Sequence, residues 1–197
     1  MGYTFTMRLR ASPRAPRLSP NMLVLCAYGA LAALAVALGW ARGDDDLYHF
    51  AASTPRRLAL SPLIGLSVGV ALVLLTRWMV RRFSWARLLH NEFHAVLHEL
   101  SARDIWLLAL SSSIAEEFFF RGLLVAWIGI LPSSLLFAVL HLRPERRFLP
   151  WTAMSFGVGL LLALMFVGLG DLGGPIVCHF TINLINLSFI AKTELPA

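Results

Sequence analysis

The sequence predicts an all-α, polytopic membrane protein, on three observations. Hydrophobic residues make up 58% of the 197 residues and charged residues only 14%, whereas a typical soluble domain has about 25% charged residues. The apolar residues form long runs instead of an amphipathic spacing. The basic residues, which give a net charge of +6, lie mainly between these runs. A bilayer solvates such helices, whereas a soluble chain of this size could not bury them.

Six apolar runs follow a polar arm, and we predict that each run forms a helix in the membrane. Residues 1–21 contain three prolines and four arginines, which is typical of a disordered basic arm. The first run is longer than the apolar core of a usual signal peptide, so we expect it to be an uncleaved transmembrane helix. The fourth run is only about 16 Å long as a helix, half of a hydrocarbon core. The six runs are Met22–Trp40, Leu58–Val80, Ile105–Leu131, Pro132–Leu142, Trp151–Leu169 and Pro175–Ile190.

The segment Trp85–Leu100 differs from the six runs, because its apolar residues follow the i, i+3, i+4 spacing of an amphipathic helix. We expect it to lie flat in the membrane interface. His90, His94 and His98 share its polar face. We interpret this row as a solvated face; metal binding is the alternative, although no carboxylate or cysteine completes a ligand set.

The loops predict the orientation and exclude one class of partner. With a cytoplasmic N-terminus, 13 of the 17 basic residues lie on the cytoplasmic side, as the positive-inside rule requires. We therefore expect both termini in the cytoplasm, in a bacterial inner membrane. No basic face with interleaved aromatic residues indicates nucleic-acid binding. Cys26 and Cys178 lie inside apolar runs and are expected to act as small apolar residues.

The third run contains three charged residues within six positions, Glu116, Glu117 and Arg121. Each costs roughly 2.5–3.5 kcal/mol inside a bilayer. Glu117 and Arg121 are i, i+4 on a helix and can offset each other as an ion pair. Glu116 has no basic partner at helical spacing. An unpaired carboxylate at membrane depth indicates a functional site.

The later runs add polar side chains that complement this carboxylate. Phe137 and His141 are i, i+4 on the short fourth segment, and His179 and Asn183 are i, i+4 on the sixth. A carboxylate with an imidazole can activate water. A second imidazole and a carboxamide can donate hydrogen bonds to an oxyanion. The set therefore contains the groups of a hydrolytic site.

The three motifs also carry a resemblance to a known family. Glu116-Glu117-Phe-Phe-Phe-Arg121, Phe137-Ala-Val-Leu-His141 and His179-Phe-Thr-Ile-Asn183 resemble, in order, the motifs of the CPBP family of intramembrane endopeptidases. That family includes CAAX-prenyl proteases and bacteriocin-processing, Abi-like proteins. The resemblance covers about 104–191, which we interpret as the catalytic core. Residues 22–103 would supply two transmembrane helices and the interfacial helix.

The resemblance implies a role for each motif residue. Glu116 and His141 would activate water, and His179 and Asn183 would stabilise the tetrahedral intermediate. Glu117, Arg121 and Phe137 would shape the site. A site without metal is expected, and a zinc ion on Glu116, His141 and His179 is the alternative cofactor.

The implied substrate is a membrane-embedded or lipid-anchored protein, for example one with a C-terminal sorting tail or a leader. The alternatives are a non-enzymatic immunity or chaperone-like protein with the same fold, or a small transporter. The lack of an internal repeat disfavours the transporter. One geometric condition applies: simple end-to-end spans would separate His141 from His179. The two can meet if the fourth segment is half-length, or if the Gly170–Gly174 turn dips into the protein.

Overall fold

The computed structural model describes residues 20–51 and 54–196, with side chains from Met22 onward. The predicted disordered arm lies almost entirely outside these residues. Helices joined by short turns make up the described chain, with one isolated backbone bridge between His49 and Asp171. The helices are α1 (Pro20–Ala41), α2 (Pro55–Arg82), α3 (Ser84–Leu97), α4 (Ala102–Glu116), a π-helical segment (Glu117–Val125), α5 (Ala126–Ile128), α6 (Ile130–Leu140), a 3₁₀ turn (Arg146–Phe148), α7 (Leu149–Leu169) and α8 (Gly173–Lys192).

This architecture confirms the predicted all-α, polytopic membrane class. Four helical stretches of the described chain are long and apolar enough to cross a membrane. They contain the first, second, fifth and sixth predicted runs. The third run is helical from α4 to α5 but carries the three charged residues, and the fourth run is the short helix α6. Helix α6 has 11 residues, the predicted length, but it begins and ends two residues earlier than predicted, and His141 caps its end. That all six runs cross the membrane stays a prediction.

Local sequence explains where several helices begin and end. Thr54 caps α2 by accepting a hydrogen bond from the amide of Arg57. Ser101 and Asp104 form a reciprocal capping box at the start of α4, which satisfies two amides that have no partner inside the helix. At Gly129 the backbone has a φ of +88°, a conformation that residues other than glycine rarely adopt. The chain therefore turns there, between α5 and α6.

Helices α2 and α8 are in close contact. Every fourth residue along α2 is buried: Ser61, Gly65, Gly69 and Val73. A Cβ on Gly65 would lie 2.1 Å from the carbonyl oxygen of Gly174, so only glycine fits at this crossing. Small residues at such spacing allow the backbones of membrane helices to touch.

The turn before α8 is buried and has a polar core. Residues 170–175 are all buried, as the predicted dip of the Gly170–Gly174 turn requires. Asp171 Oδ1 accepts hydrogen bonds from the Ser61 hydroxyl and from the amide of Gly173, both at 2.7 Å. The Ser61 oxygen accepts a third from the amide of Gly174 at 2.7 Å. These bonds satisfy the first amides of α8 and fix its start against α2.

The histidine row on α3 corrects the sequence interpretation. The helix is present, but its polar face is not solvated along its whole length. His90 is buried and bonds the carbonyl of Thr193 at 2.6 Å, and His94 bonds the carbonyl of Ile190 at 2.6 Å. Only His98 is exposed. Backbone carbonyls at the end of α8 need donors, and the imidazoles supply them, so the polar face turns inward.

We expect this contact to weaken at acidic pH. Burial, with Arg77 and His94 nearby, lowers the pKa of His90 below its usual 6.5, against the opposing effect of the Thr193 carbonyl. The contribution of a neutral His90 is therefore present above pH 6.5 and is lost as the pH falls below that value. The amide of Leu195 donates to Asn91 Oδ1 on α3 at 3.0 Å and so reports on this contact. Its hydrogen exchange, corrected for the intrinsic effect of pH, should be faster at pH 5 than at pH 7.5.

The matched control for that measurement is His90→Gln. A glutamine amide can still donate to the Thr193 carbonyl but does not titrate. The exchange at Leu195 should then be nearly independent of pH. Equal pH dependence in both proteins would contradict the assignment to His90.

Candidate active site

Glu116 and Glu117 lie where the helical hydrogen bonding changes. Glu116 is the last residue of α4, and Glu117 begins the π-helical segment. Short π-helical stretches are rare and occur frequently at functional sites. Here the two adjacent carboxylates have different surroundings, since the side chain of Glu116 is 12% exposed and that of Glu117 is fully buried.

Glu117 lies at the centre of a buried ionic network. Its Oε1 accepts a hydrogen bond from Arg121 Nη1 at 2.9 Å, which is the pair predicted from the i, i+4 spacing. The same oxygen bonds Nδ1 of His179 on α8 at 2.7 Å. The predicted pair therefore extends to a third residue. It joins the π-helical segment to α8 and orients the imidazole.

Arg121 is held by α6 and α7 as well. Its Nη2 donates to the carbonyl of Gly159 at 3.1 Å, and its guanidinium lies 4.5 Å from the ring centroid of Phe137. A Cβ on Gly159 would come within 3.1 Å of the Phe137 ring, so the glycine leaves room for both groups. The buried cation thus contacts a carboxylate, a carbonyl and an aromatic face.

Glu116 has more freedom than its neighbour. Its Oε2 is buried and has no hydrogen-bond partner in the described part of the chain. It lies 3.9 Å from Nε2 of His179. One nitrogen of His179 therefore contacts Glu117, and the other faces Glu116. A carboxylate oxygen that is buried without a partner is costly for stability, and it is available to a water or a substrate.

His141 is placed by the short helix α6. Its Nδ1 bonds the carbonyl of Phe137 at 2.7 Å, and its ring centroid lies 4.4 Å from that of Phe137. The Phe137 ring is in turn 6.3 Å from the ring of His179. The half-length α6 thus brings both histidines to one aromatic side chain. Within the described residues, no hydrogen bond joins His141 to Glu116, and their pairing stays a prediction.

Asn183 lies one turn after His179 on α8. Its Nδ2 donates to the Ser112 hydroxyl on α4 at 3.0 Å, which leaves its second N–H available. The motif comparison did not include Ser112. A run of three serines at 111–113 inside an apolar segment was the signal in the sequence that could have indicated polar contacts there.

A large cavity reaches Asn183, while Glu116, His141 and His179 are not among the residues that line it. Its volume is about 570 Å³, and it is bounded by α2, α3, α7 and α8. Asn183 and Tyr28 line one part of it, and Arg77, Arg143 and Arg147 line another. The remaining lining is mostly apolar. Such a space can take an extended, largely apolar ligand.

The zinc alternative requires three ligands that lie close together around one point. Zinc ligands lie about 2.0–2.2 Å from the ion when they are His or carboxylate groups. Within residues 20–51 and 54–196, no three or more His, Cys, Asp or Glu side chains are grouped to hold a metal ion. Glu116, His141 and His179 therefore do not form a ligand set in this arrangement.

Comparisons with known proteins address the family. The family model described as type II CAAX prenyl endopeptidase Rce1-like matches residues 99–185. A Bacillus subtilis (strain 168) protein described as uncharacterized protein YpbD is 38% identical over 93 residues, which cover 46% of this chain and 47% of YpbD. The chain thus spans about half the length of this curated relative. No solved structure matches the chain. The resemblance that the three motifs predicted is confirmed over residues 99–185, which are similar to the Rce1-like family.

Proposed function

We propose that this chain is an intramembrane endopeptidase that uses Glu116 to activate water. One observation carries the proposal: within the described residues, Oε2 of Glu116 is buried without a hydrogen-bond partner, and it lies 3.9 Å from an imidazole nitrogen of His179. The adjacent Glu117 also has a buried Oε2 without a partner, but its Oε1 bonds Arg121 and orients that imidazole. Purely structural carboxylates at membrane depth are expected to be paired, so the two glutamates differ in role.

The charges of the network support an oxyanion role for His179. Glu117 accepts the Nδ1 hydrogen of His179, so Nε2 points toward Glu116. With His179 protonated, Glu116, Glu117, Arg121 and His179 carry two negative and two positive charges. A buried network without net charge is the least costly one at low dielectric. Its Nε2–H can then donate to an oxygen that gains negative charge.

The reaction would proceed in two proton transfers. Glu116 takes a proton from water, and the water oxygen bonds to the carbonyl carbon of the scissile peptide. His179 and the free N–H of Asn183 donate to the resulting oxyanion. The carbon–nitrogen bond then breaks as Glu116 returns the proton to the amine nitrogen. His141 has its Nδ1 on a carbonyl, so its Nε2 is free to orient the water.

We propose that this mechanism needs no metal. A single carboxylate can supply the basicity, and the imidazole and carboxamide can supply the oxyanion donors. The arrangement of Glu116, His141 and His179 does not support a zinc site. No step is therefore assigned to a metal ion.

We propose a membrane-embedded or lipid-anchored protein as the substrate. The cavity beside Asn183 has a mainly apolar lining and could receive a peptide segment from the bilayer. A C-terminal sorting tail or a leader peptide has the required chemistry, since each combines an apolar stretch with a polar end. We also retain the predicted cytoplasmic termini as part of this proposal.

Proteomics of membrane and secreted fractions tests the function. Cells expressing the wild-type chain should contain new peptide termini in a small set of membrane-anchored proteins, and cells expressing Glu116→Gln should lack them. The fragment ends would also identify the cleavage site. If both strains show the same termini at equal chain abundance, the endopeptidase proposal fails.

A further inference from the structure

A hydrogen bond between Ser112 and Asn183 joins two helices of the site. Nδ2 of Asn183 on α8 donates to the hydroxyl oxygen of Ser112 on α4 at 3.0 Å. The side chain of Ser112 is buried, and it precedes the three motifs, which begin at Glu116. The two helices therefore share a buried polar contact beside the proposed catalytic groups.

This contact lies on the same helical faces as those groups. Ser112 and Glu116 are i, i+4 on α4, and His179 and Asn183 are i, i+4 on α8, so each pair shares one face of its helix. The two faces meet at two points. Glu116 Oε2 lies 3.9 Å from His179 Nε2, and Ser112 bonds Asn183. Ser112 is thus one helical turn from the carboxylate, and Asn183 is one turn from the imidazole.

The hydroxyl of Ser112 determines which end of the Asn183 carboxamide faces α4. This hydroxyl donates its own hydrogen to the carbonyl of Ala109 at 3.3 Å, so its oxygen is an acceptor toward the carboxamide. An asparagine side chain has an acceptor oxygen and an amide nitrogen with two hydrogens. The acceptor on Ser112 therefore holds the amide nitrogen, and the second hydrogen of that nitrogen stays free for another acceptor.

The orientation of the carboxamide matters for an oxyanion site. An N–H that is held in place stabilises a developing negative charge, whereas the carboxamide oxygen would repel it. Asn183 lines the large cavity in which the peptide is proposed to bind, and Ser112 does not line it. Any effect of Ser112 on a bound peptide would therefore pass through Asn183.

We infer that Ser112 is a positioning residue of the active site, which holds the Asn183 carboxamide with an N–H toward the oxyanion. The inference rests on the proposed function for its catalytic consequence. The contact itself can be tested without proteolysis. Helix α4, in this inference, contributes both the carboxylate that activates water and the hydroxyl that orients an oxyanion donor.

The first test compares Ser112→Ala with Ser113→Ala. For Ser112→Ala we expect kcat to fall about 3- to 10-fold, which corresponds to one neutral hydrogen bond. KM should change little, since Ser112 does not line the cavity. Ser113→Ala removes another buried hydroxyl, whose bond goes to the Leu110 carbonyl of the same helix. It should leave both constants nearly unchanged.

A double-mutant cycle separates positioning from a general effect on packing. In an Asn183→Ala background, Ser112→Ala should have no further effect on kcat, because the group that it orients is gone. An equal further loss in that background would overturn the inference, and so would an unchanged kcat in Ser112→Ala alone. Either result would leave the endopeptidase function in place.

NMR of protein labelled with ¹⁵N-asparagine reads the contact directly. The chain has four asparagines, and the side-chain amide signal that is missing from Asn183→Ala belongs to Asn183. Ser112→Ala should shift this signal, and Ser113→Ala should leave it in place. An unshifted signal in Ser112→Ala would overturn the inference. If the signal shifts but the wild-type chain cleaves no substrate, the contact stands and the proposed function fails.

Discussion

Glu116→Gln should abolish cleavage while the protein remains folded in the membrane. A carboxamide has nearly the same shape but cannot take a proton from water, and general-base catalysis contributes about 10²- to 10⁴-fold to the rate. The side chain of Glu116 has an unpartnered oxygen in the described structure, and Glu117 keeps its bonds to Arg121 and His179 in this variant. Rates should be measured on the reconstituted protein with a substrate identified by proteomics, together with the thermal unfolding midpoint.

The adjacent Glu117→Gln is the matched comparison. It removes the same charge one residue further along, where Arg121 and His179 depend on it. We expect low abundance and a lower unfolding midpoint for Glu117→Gln only. Cleavage at the wild-type rate by Glu116→Gln would make the immunity or chaperone-like function the leading alternative. One zinc ion per purified chain, with activity lost on chelation and restored by zinc, would instead contradict the metal-free mechanism.

Arg121→Ala should prevent stable folding. The guanidinium is buried, and its loss leaves Glu117 with an uncompensated charge; breaking a buried pair in this way costs about 3–5 kcal/mol. That cost is a large part of the stability of a typical domain. Abundance in the membrane and thermal unfolding in detergent would measure it.

Two further variants test whether the effect of Arg121→Ala comes from the lost charge pairing or from the smaller side chain. Arg143→Ala removes an exposed arginine and should have little effect on unfolding. The double variant Glu117→Leu/Arg121→Leu removes both charges, and apolar replacement of a buried pair is often neutral or stabilising. It should recover much of the abundance but not the activity, since His179 loses its orienting partner. Wild-type stability of Arg121→Ala would contradict the role of the ion pair.

Much of the fold could be predicted because membrane helices follow from runs of apolar residues. The six runs all correspond to helices, and the short fourth run was recognised by its length. The orientation of α3 could not be predicted from periodicity alone. Periodicity separates a polar from an apolar face, but it does not determine which face meets protein. In the structure, His90 bonds the carbonyl of Thr193, which follows α8, so this face meets protein.

Within the site, the contacts between residues of the same helix could be predicted from the sequence. The Glu117–Arg121 pair followed from i, i+4 spacing and is present. The motif order identified Glu116, His141, His179 and Asn183 as site candidates, and their catalytic roles are still proposals. Contacts between distant helices were not predictable: the hydrogen bond between His179 and Glu117 depends on packing that spacing within one helix does not encode.

The π-helical segment has a consequence for how this chain tolerates insertions and deletions. A π turn contains an extra residue relative to an α turn, so the segment Glu117–Val125 stores chain length within a continuous helix. Deleting one residue there, if the remaining residues kept their spacing along the helix, would rotate everything beyond it by about 100° relative to α4. Ser133, which now donates to the carbonyl of Phe120, would lose its register, and His141 would turn with α6. Alignments of relatives should therefore keep the length of this segment constant even where its apolar residues vary.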